Sequence, residues 1–436
     1  VTLACGATQT GFGRTGTVDW CTTAKTSPLT VVSGNGYFIN TTGGTITVTL
    51  PSSPSAGDIV AFKDYANTWD TNKVTIGRGG SKINGVCEDA ILSTESQSVT
   101  LIYVDGTKGW QDIHDSTSNV TGAAYISASG GNATITCGNF KTHIFTGAGC
   151  FAVSSLAACA ADNAVEYLVV AGGAGGGGGP SPSGGQGGGG AGGFRYFSAL
   201  SPAGSPLVAP AGITVTATGF PIVVGAGGAI ASAPAANNGT SGSISTFSTI
   251  SSAGGGGGAG ASTNPAPSGG SGAGAKGMSS GVGGSGNTPP VSPPQGNNGG
   301  SGQGGGSSEG PGGGGGAGAA GGNGVSATST GSGGAGSNIV DGLIGPTAPS
   351  YGEPGPVSST RYFAGGGGGG GTSNIPGPGT GVGGVGGGGD GSSPSVTGPA
   401  PAGVANTGGG GGGTSANGDG GGAGGSGIVM IRYKFQ

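Results

Sequence analysis

The sequence predicts an all-β protein built in two unlike parts, and three observations carry that prediction. Short runs of alternating apolar and polar residues recur through the first third, no stretch keeps a helical period, and glycine rises abruptly after residue 163. Of 116 glycines, 21 fall in the first 163 residues and 95 in the remaining 273.

Residues 1–25 read as a linker or the end of a preceding repeat. Residues 26–118 read as a β-rich domain whose strands run over Leu29–Val32, Tyr37–Asn40, Thr45–Leu50, Asp58–Phe62, Lys73–Ile76 and Ser98–Val104. In TITVTL the residues Ile46, Val48 and Leu50 share one face and threonines the other, the period of a half-buried strand. Asn35-Gly36, Gly43-Gly44, Pro51 to Pro54 and Asp105-Gly106 supply turn signals, so the expectation is a small antiparallel β-prism or sandwich. Residues 119–163 read as a short β connector with strands in YISASG, NATITC and THIFTG. Trp20, Trp69 and Trp110 are expected to pack rather than touch a ligand.

Residues 164–436 open with VEYLVVAGG and close with SGIVMIRYKFQ, both apolar on both faces. Each therefore needs cover on two sides, and the two are expected to pair. Between them lie β runs at Phe194–Phe197, Ile213–Thr218, Pro221–Val224 and Ser245–Ile250, and then glycine tracts such as Gly175 to Gly179, Gly365 to Gly371 and Gly408 to Gly413. A flexible linker is one reading of the tracts. Collagen is excluded, because AGGGGGGG breaks its every-third-residue rule. The reading adopted is a body of packed polyglycine II helices. Such helices have no internal hydrogen bonds, so every peptide group is free to bond a neighbour, and only glycine lets neighbours approach from all sides. The terminal β runs would close the body.

Composition limits function. A net charge of -4 and scattered Lys and Arg leave no basic stripe for nucleic acid. No apolar run is long enough to span a bilayer, so membrane insertion is not expected. Six cysteines precede the glycine-rich part, none with metal-ligand spacing to histidine; several read as simple buried thiols, with Cys5 and Cys21, or a pair among Cys137, Cys150 and Cys159, as the candidate bridges. His114 and His143 lie outside any HExxH or nucleophile-and-base arrangement, and the adjacent Glu88 and Asp89 would point to opposite faces of a strand. No enzyme, metal or cofactor is therefore expected.

The stretch GYFINTTGGTITVTLPSSPSAGDIVAFKDYANTWDTNKVTIGRGGSKINGV with SVTLIYVDGTKGWQDI resembles a recurrent β domain of phage tail-fibre and other virion fibre proteins. The stretch ITCGNFKTHIFTGAGCFAV, VEYLVVAGGAGGGGG and the closing GSGIVMIRY resemble the glycine-rich receptor-binding tip domain of such fibres. This resemblance implies a virion, extracellular location, a homotrimer with other fibre proteins as neighbours, and a host cell-surface glycan or outer-membrane protein as the target. The polar loops between tracts are then the candidate recognition elements. Tyr351, Glu353, Arg361, Tyr362, Asn374 and Asn297 are the side chains singled out, with capping of the lattice edge as the alternative role for Tyr362. A filament subunit that assembles with itself is the competing reading.

Overall fold

The computed structural model describes residues 18–115, 125–179, 185–201, 207–231, 237–260, 264–277, 281–304, 309–325, 329–343, 351–355, 360–371, 380–395, 398–415 and 420–436. The described residues are all-β apart from two short 3-10 turns, and they divide into two compact units. The first comprises the described residues of 18–125 with 157–161, the second those of 126–156 with 162–436.

In the first unit β1 (Asp19–Lys25), β3 (Asn35–Ile39), β5 (Ile59–Asp64), β8 (Ser98–Asp105) and β9 (Gly109–Asp115) form one sheet in that order. A second sheet holds β2 (Leu29–Thr30), β4 (Ile46–Thr49), β6 (Val74–Gly77) and β7 (Ala90–Leu92). From β1 to β6 the chain changes sheet at every strand, and the pairs β1 with β3, β3 with β5, β2 with β4 and β4 with β6 are parallel. The unit is thus a two-faced winding finished by antiparallel strands, which corrects the antiparallel prism. Alternation fixes which face is buried but not strand direction, and a turn signal serves the corner of a coil as well as a hairpin. Asn35-Gly36 shows the difference. A Cβ on Gly36 would lie 2.6 Å from Val18 and 2.7 Å from the Trp20 ring, so the glycine is a strand residue under an aromatic lid. The expected linker at 1–25 likewise contains β1.

Both sheets contribute to one core that includes Tyr37, Ile39, Val48, Phe62, Trp69, Ile76, Leu101 and Trp110, all drawn from this chain. Trp69 donates its indole N–H to the Ile39 carbonyl at 3.2 Å. The buried Asp64 carboxylate accepts the backbone N–H groups of Ser96 at 3.1 Å and Trp69 at 3.3 Å, which offsets its desolvation. Trp20 is not in this core; it is 43% exposed, with its ring centroid 4.9 Å from that of Phe38.

The second unit begins with β10 (Ser127–Ser129), β11 (Ala133–Cys137), β12 (Phe140–Phe145) and β13 (Gly149–Ser155), followed by β14 (Ala164–Val170), β15 (Phe194–Phe197) and β16 (Ile213–Thr214). Then come β17 (Gly219–Val223), β18 (Ser245–Phe247), β19 (Ile250–Ser252), β20 (Ser337–Ile339), β21 (Glu353–Pro354), β22 (Arg361–Phe363) and β23 (Ile428–Lys434). The opening and closing strands β14 and β23 pair antiparallel, from Glu166 opposite Arg432 to Val170 opposite Ile428. The other edge of β23 takes β12, so residues 126–156 are part of this unit's frame rather than a separate connector. A strand apolar on both faces sits inside a sheet and needs two edge partners; its sequence pointed to β14 but not to β12. At the centre Arg432 meets Glu166 at 2.7 Å and lies over the Phe140 ring at 3.7 Å, while Ser198 Oγ and the Ala199 N–H also donate to Glu166.

Beyond the frame the glycine tracts form a lattice whose hydrogen bonds repeat every three residues. Along residues 171–178, the N–H groups of Ala171, Ala174 and Gly177 donate to Gly193, Gly190 and Gly187. Those of Gly172, Gly175 and Gly178 donate to Ser243, Thr240 and Asn237, and those of Gly173 and Gly176 to Gly425 and Gly422. Three antiparallel neighbours are thus engaged in rotation, as a three-residue-per-turn polyglycine II helix requires. The carbonyls of the same tract accept from Gly255 and Gly258, from Gly411 and Thr414, and from Gly228, which are three further neighbours. Residues 364–371 repeat the three-residue rotation with one parallel neighbour: Gly367 and Gly370 donate to Gly189 and Gln186, Gly366 and Gly369 to Gly334 and Gly331, and Gly365, Gly368 and Gly371 to Gly386, Gly389 and Ser392, which run in the same direction. A methyl group on Gly367 would land on the carbonyl oxygen of Gly411, and one on Gly188 on that of Gly367, so the spacing admits no Cβ.

The peripheral tracts differ. In GVGGSG (281–286) Val282 and Ser285, three residues apart, are exposed while Gly281 and Gly284 are buried. Ala226 and Ala229 hold the same phase between buried Gly225 and Gly228. An outer helix can carry a side chain on the one face in three that has no neighbour.

Candidate functional site

The lattice has two ends of different character. At one end strands run directly into tracts: β14 into residue 171, β17 into 225, β19 into 253 and β22 into 364, while residues 193, 243, 336 and 427 run into β15, β18, β20 and β23. At the opposite end Gly178 bridges Asn237, Gln303 bridges Gly310, and Val325 bridges Ser329. The Thr414 N–H there donates to Gly177, Gln186 to Thr414, Gly370 to Gln186 and Gly371 to Ser392. The residues flanking segments 180–184, 232–236, 305–308, 326–328, 372–379 and 416–419 all belong to this second end.

Three of the six singled-out residues, Glu353, Arg361 and Tyr362, lie on the small sheet β20–β22–β21 at the strand end, and Tyr351 just precedes β21. Glu353 Oε2 accepts the N–H groups of Gly386 and Gly387, each at 2.6 Å, and both glycines have positive φ (105° and 91°). Successive N–H groups turned to one side form an anion-binding nest, and here the nest is filled by the protein's own carboxylate. Tyr351 packs against the core of Phe194, Leu343 and Phe363. Tyr362 stands opposite Asn338 and Glu353, with its ring over Gly355, and Arg361 opposite Ile339 and Pro354; both are half-buried. Asn297 lies elsewhere and is occupied: its amide donates to Gly316 at 3.1 Å and to Ala317 at 2.8 Å. Asn374 lies outside the described residues.

Sequence reasoning passed over the polar residues inside the tracts. Gln186, Thr414 and Ser415 are fully buried near the second end, and among the described residues Gln186 Oε1, Thr414 Oγ1 and Ser415 Oγ have no hydrogen-bond partner. Their only signal was a single polar residue bounding an otherwise pure glycine run. At the same end burial pushes the Glu309 carboxyl above its ordinary range, opposed by the charge of Lys276.

The cysteines are free among the described residues: Cys21, Cys87 and Cys159 half-buried, Cys137 and Cys150 exposed. Cys5, the expected partner of Cys21, lies outside the described residues. His143, within the frame, is held by Gly130 O at 2.6 Å on Nδ1 and by the Tyr433 hydroxyl at 3.1 Å on Nε2. A carbonyl only accepts, so Nδ1 carries the proton; the Tyr433 hydroxyl lies against Nε2 and also reaches the Ala128 carbonyl, to which it donates at 3.4 Å. Burial holds the His143 pKa below its usual value. Among the described residues no group of three or more His, Cys, Asp or Glu is placed to hold a metal ion.

Residues 146–434 match the family described as a glycine-rich domain. No curated protein matches the chain.

Proposed function

We propose that this chain, which belongs to the glycine-rich domain family, is a non-catalytic viral fibre adhesin that presents the end of its lattice opposite the strand frame to a host-surface receptor. The observation that carries this reading is the polarity of the second unit. One end is fastened by strands, and the other gathers the tract ends whose connecting segments are rich in Ser, Thr, Asn and Pro, among them TSNIPGPG (372–379) and SANG (415–418). A lattice in which inner peptide groups bond to surrounding helices is stiff, and stiffness lowers the ordering cost of binding through loops. Small polar side chains suit hydroxyl-rich glycans or the polar surface of an outer-membrane protein. The first unit would then space and assemble the fibre, with a homotrimer and a virion location as part of the same proposal.

The test compares adsorption of the full chain to host cells with that of a variant whose residues 372–379 are replaced by Gly-Ser, and of a second variant with Tyr362→Ala and Arg361→Ala. Loss in the first variant alone supports the end opposite the strand frame. Loss in the second alone moves recognition to the β20–β22–β21 sheet. Full adsorption by both removes the adhesin reading and favours a self-assembling filament subunit.

A further inference from the structure

Two outer rows of the lattice share a pattern that the inner tracts lack. Segments 281–286, 297–302 and 319–325 bond side by side in one row: Gly299 and Gly302 donate to Gly284 and Gly281, and Gly321 and Gly324 to Asn298 and Ser301. Toward their neighbours these tracts present glycine, and a Cβ on Gly299 or Gly300 would lie 1.9 Å from the carbonyl oxygen of Ala273 or Gly322. Outward, each tract carries two side chains three residues apart: Val282 and Ser285, Asn298 and Ser301, Ala320 and Asn323, all exposed except the half-buried Ser301. Asn298 Oδ1 accepts the Gly286 N–H and Asn323 Oδ1 the Ser301 N–H, each at 2.8 Å, so donors at this surface are already taken. In a second row, Gly424 and Gly427 donate to Gly228 and Gly225, and Ala400 and Gly403 to Gly420 and Ala423. Its outward residues are again three apart: Ala226 and Ala229, Ala402 and Ala405 are exposed, and Ala423 and Ser426 half-buried. On the inner side, a Cβ on Gly424 would lie 2.1 Å from the carbonyl oxygen of Gly173. The 400–405 tract, which ends its row, also exposes Pro401 and Val404, three apart in their turn.

We infer that these outward side chains are stop marks, which end the lattice at its outer rows and keep a second copy of the chain from adding its own glycine helices there. A polyglycine II helix can bond neighbours on every side, so a bare outer row would offer N–H and C=O groups to any like row, as an uncovered strand edge does in a sheet. Neighbouring helices inside the lattice stand too close for a Cβ between them. A residue that carries one at each third position therefore holds a further helix beyond hydrogen-bonding distance. Where the residue is asparagine, its side chain also consumes an N–H that a further helix would need. The partner excluded is chemically specific: a glycine-rich chain in the same conformation, and most directly another copy of this one. A filament subunit that grew sideways through its lattice would need a bare row, and neither of these rows is bare. Both rows lie along the sides of the lattice, so the boundary holds whether or not one end binds a receptor.

The experiment bares the second row of the full chain with Ala226→Gly, Ala229→Gly, Ala402→Gly, Ala405→Gly, Ala423→Gly and Ser426→Gly, and follows its size by sedimentation velocity as concentration rises. A control carries serine at the five alanines, which keeps every Cβ. Amide exchange at residues 365–371 shows whether the lattice interior is intact. The expected result is slow exchange in both, with the glycine variant forming species larger than the wild type that grow with concentration, and the serine control sedimenting as the wild type does. A second glycine variant bares the first row at Val282, Ser285, Asn298, Ser301, Ala320 and Asn323, and association of either glycine variant with its interior intact supports the stop marks. Failure of both to associate in that state would overturn them, whether it shows as wild-type sedimentation or as fast exchange, because in the second case the side chains hold the tracts together instead of ending them. Larger species in the serine control would overturn them equally.

Discussion

The two units solve the same problem with opposite materials. In the first, side chains exclude water: Trp69, Trp110 and Phe62 are fully buried between two sheets, and the backbone bonds run within each sheet. In the second, the interior beyond the frame has almost no side chains, and peptide groups bond sideways in three directions. A large side chain is therefore essential in the core of the first unit and intolerable inside the lattice of the second. The hydrophobic term dominates the first, whereas the second relies on many bonds worth about 0.5–1.5 kcal/mol each.

Substitutions can set the two kinds of interior against each other. Trp69→Ala should cost about 3–5 kcal/mol, read as a lower denaturant midpoint by tryptophan-independent circular dichroism, with amide exchange in residues 365–371 unchanged. Gly367→Val should cost about 3 kcal/mol and do the reverse, speeding exchange across residues 364–371 and their neighbours at 186–189 while the first unit keeps its protection. If Gly367→Val folds with unchanged exchange, the lattice is not what holds these tracts.

A smaller effect separates the frame from the lattice. Because burial favours neutral His143 in the folded state, the unfolded chain binds more protons once the pH falls below about 6.5. Stability should therefore be fully present above that pH and decline as pH falls toward the folded-state pKa. His143→Gln should flatten that slope, measured by urea unfolding across the range. The smallest effect belongs to the outer helices, where Val282→Ala should change stability by no more than about 0.5 kcal/mol. Against Gly367→Val, this would show that tolerance follows position in the lattice rather than membership of a glycine run.

Much of this was legible in the chain. The break near residue 164, the pairing of VEYLVV with IVMIRY and the lattice itself all follow from composition and from the lack of any other stable use for pure glycine runs. The parallel winding of the first unit was not, since Ile46, Val48 and Leu50 look the same in either strand direction. Nor was the role of β12, because nothing in THIFTG states that its partner lies nearly three hundred residues away at Ile431. The site residues were chosen for size and polarity, and those criteria do not reveal that Glu353 and Asn297 already have backbone partners. The spacing of Val282 and Ser285 went unread too, because a three-residue period means an outer helix only once the lattice is known.

The rotation of bonding partners around each inner tract imposes a triplet grammar on its evolution. Deleting one glycine from residues 365–371 would turn everything downstream by a third of a revolution, so that groups facing the 186–189 strand of the lattice would face another rod instead. Lengths can change by whole triplets, which slide the exit point along the axis, or within the connecting segments, which obey no such frame. Variation among descendants of this gene should therefore accumulate where the rods end, while the rods keep time in threes.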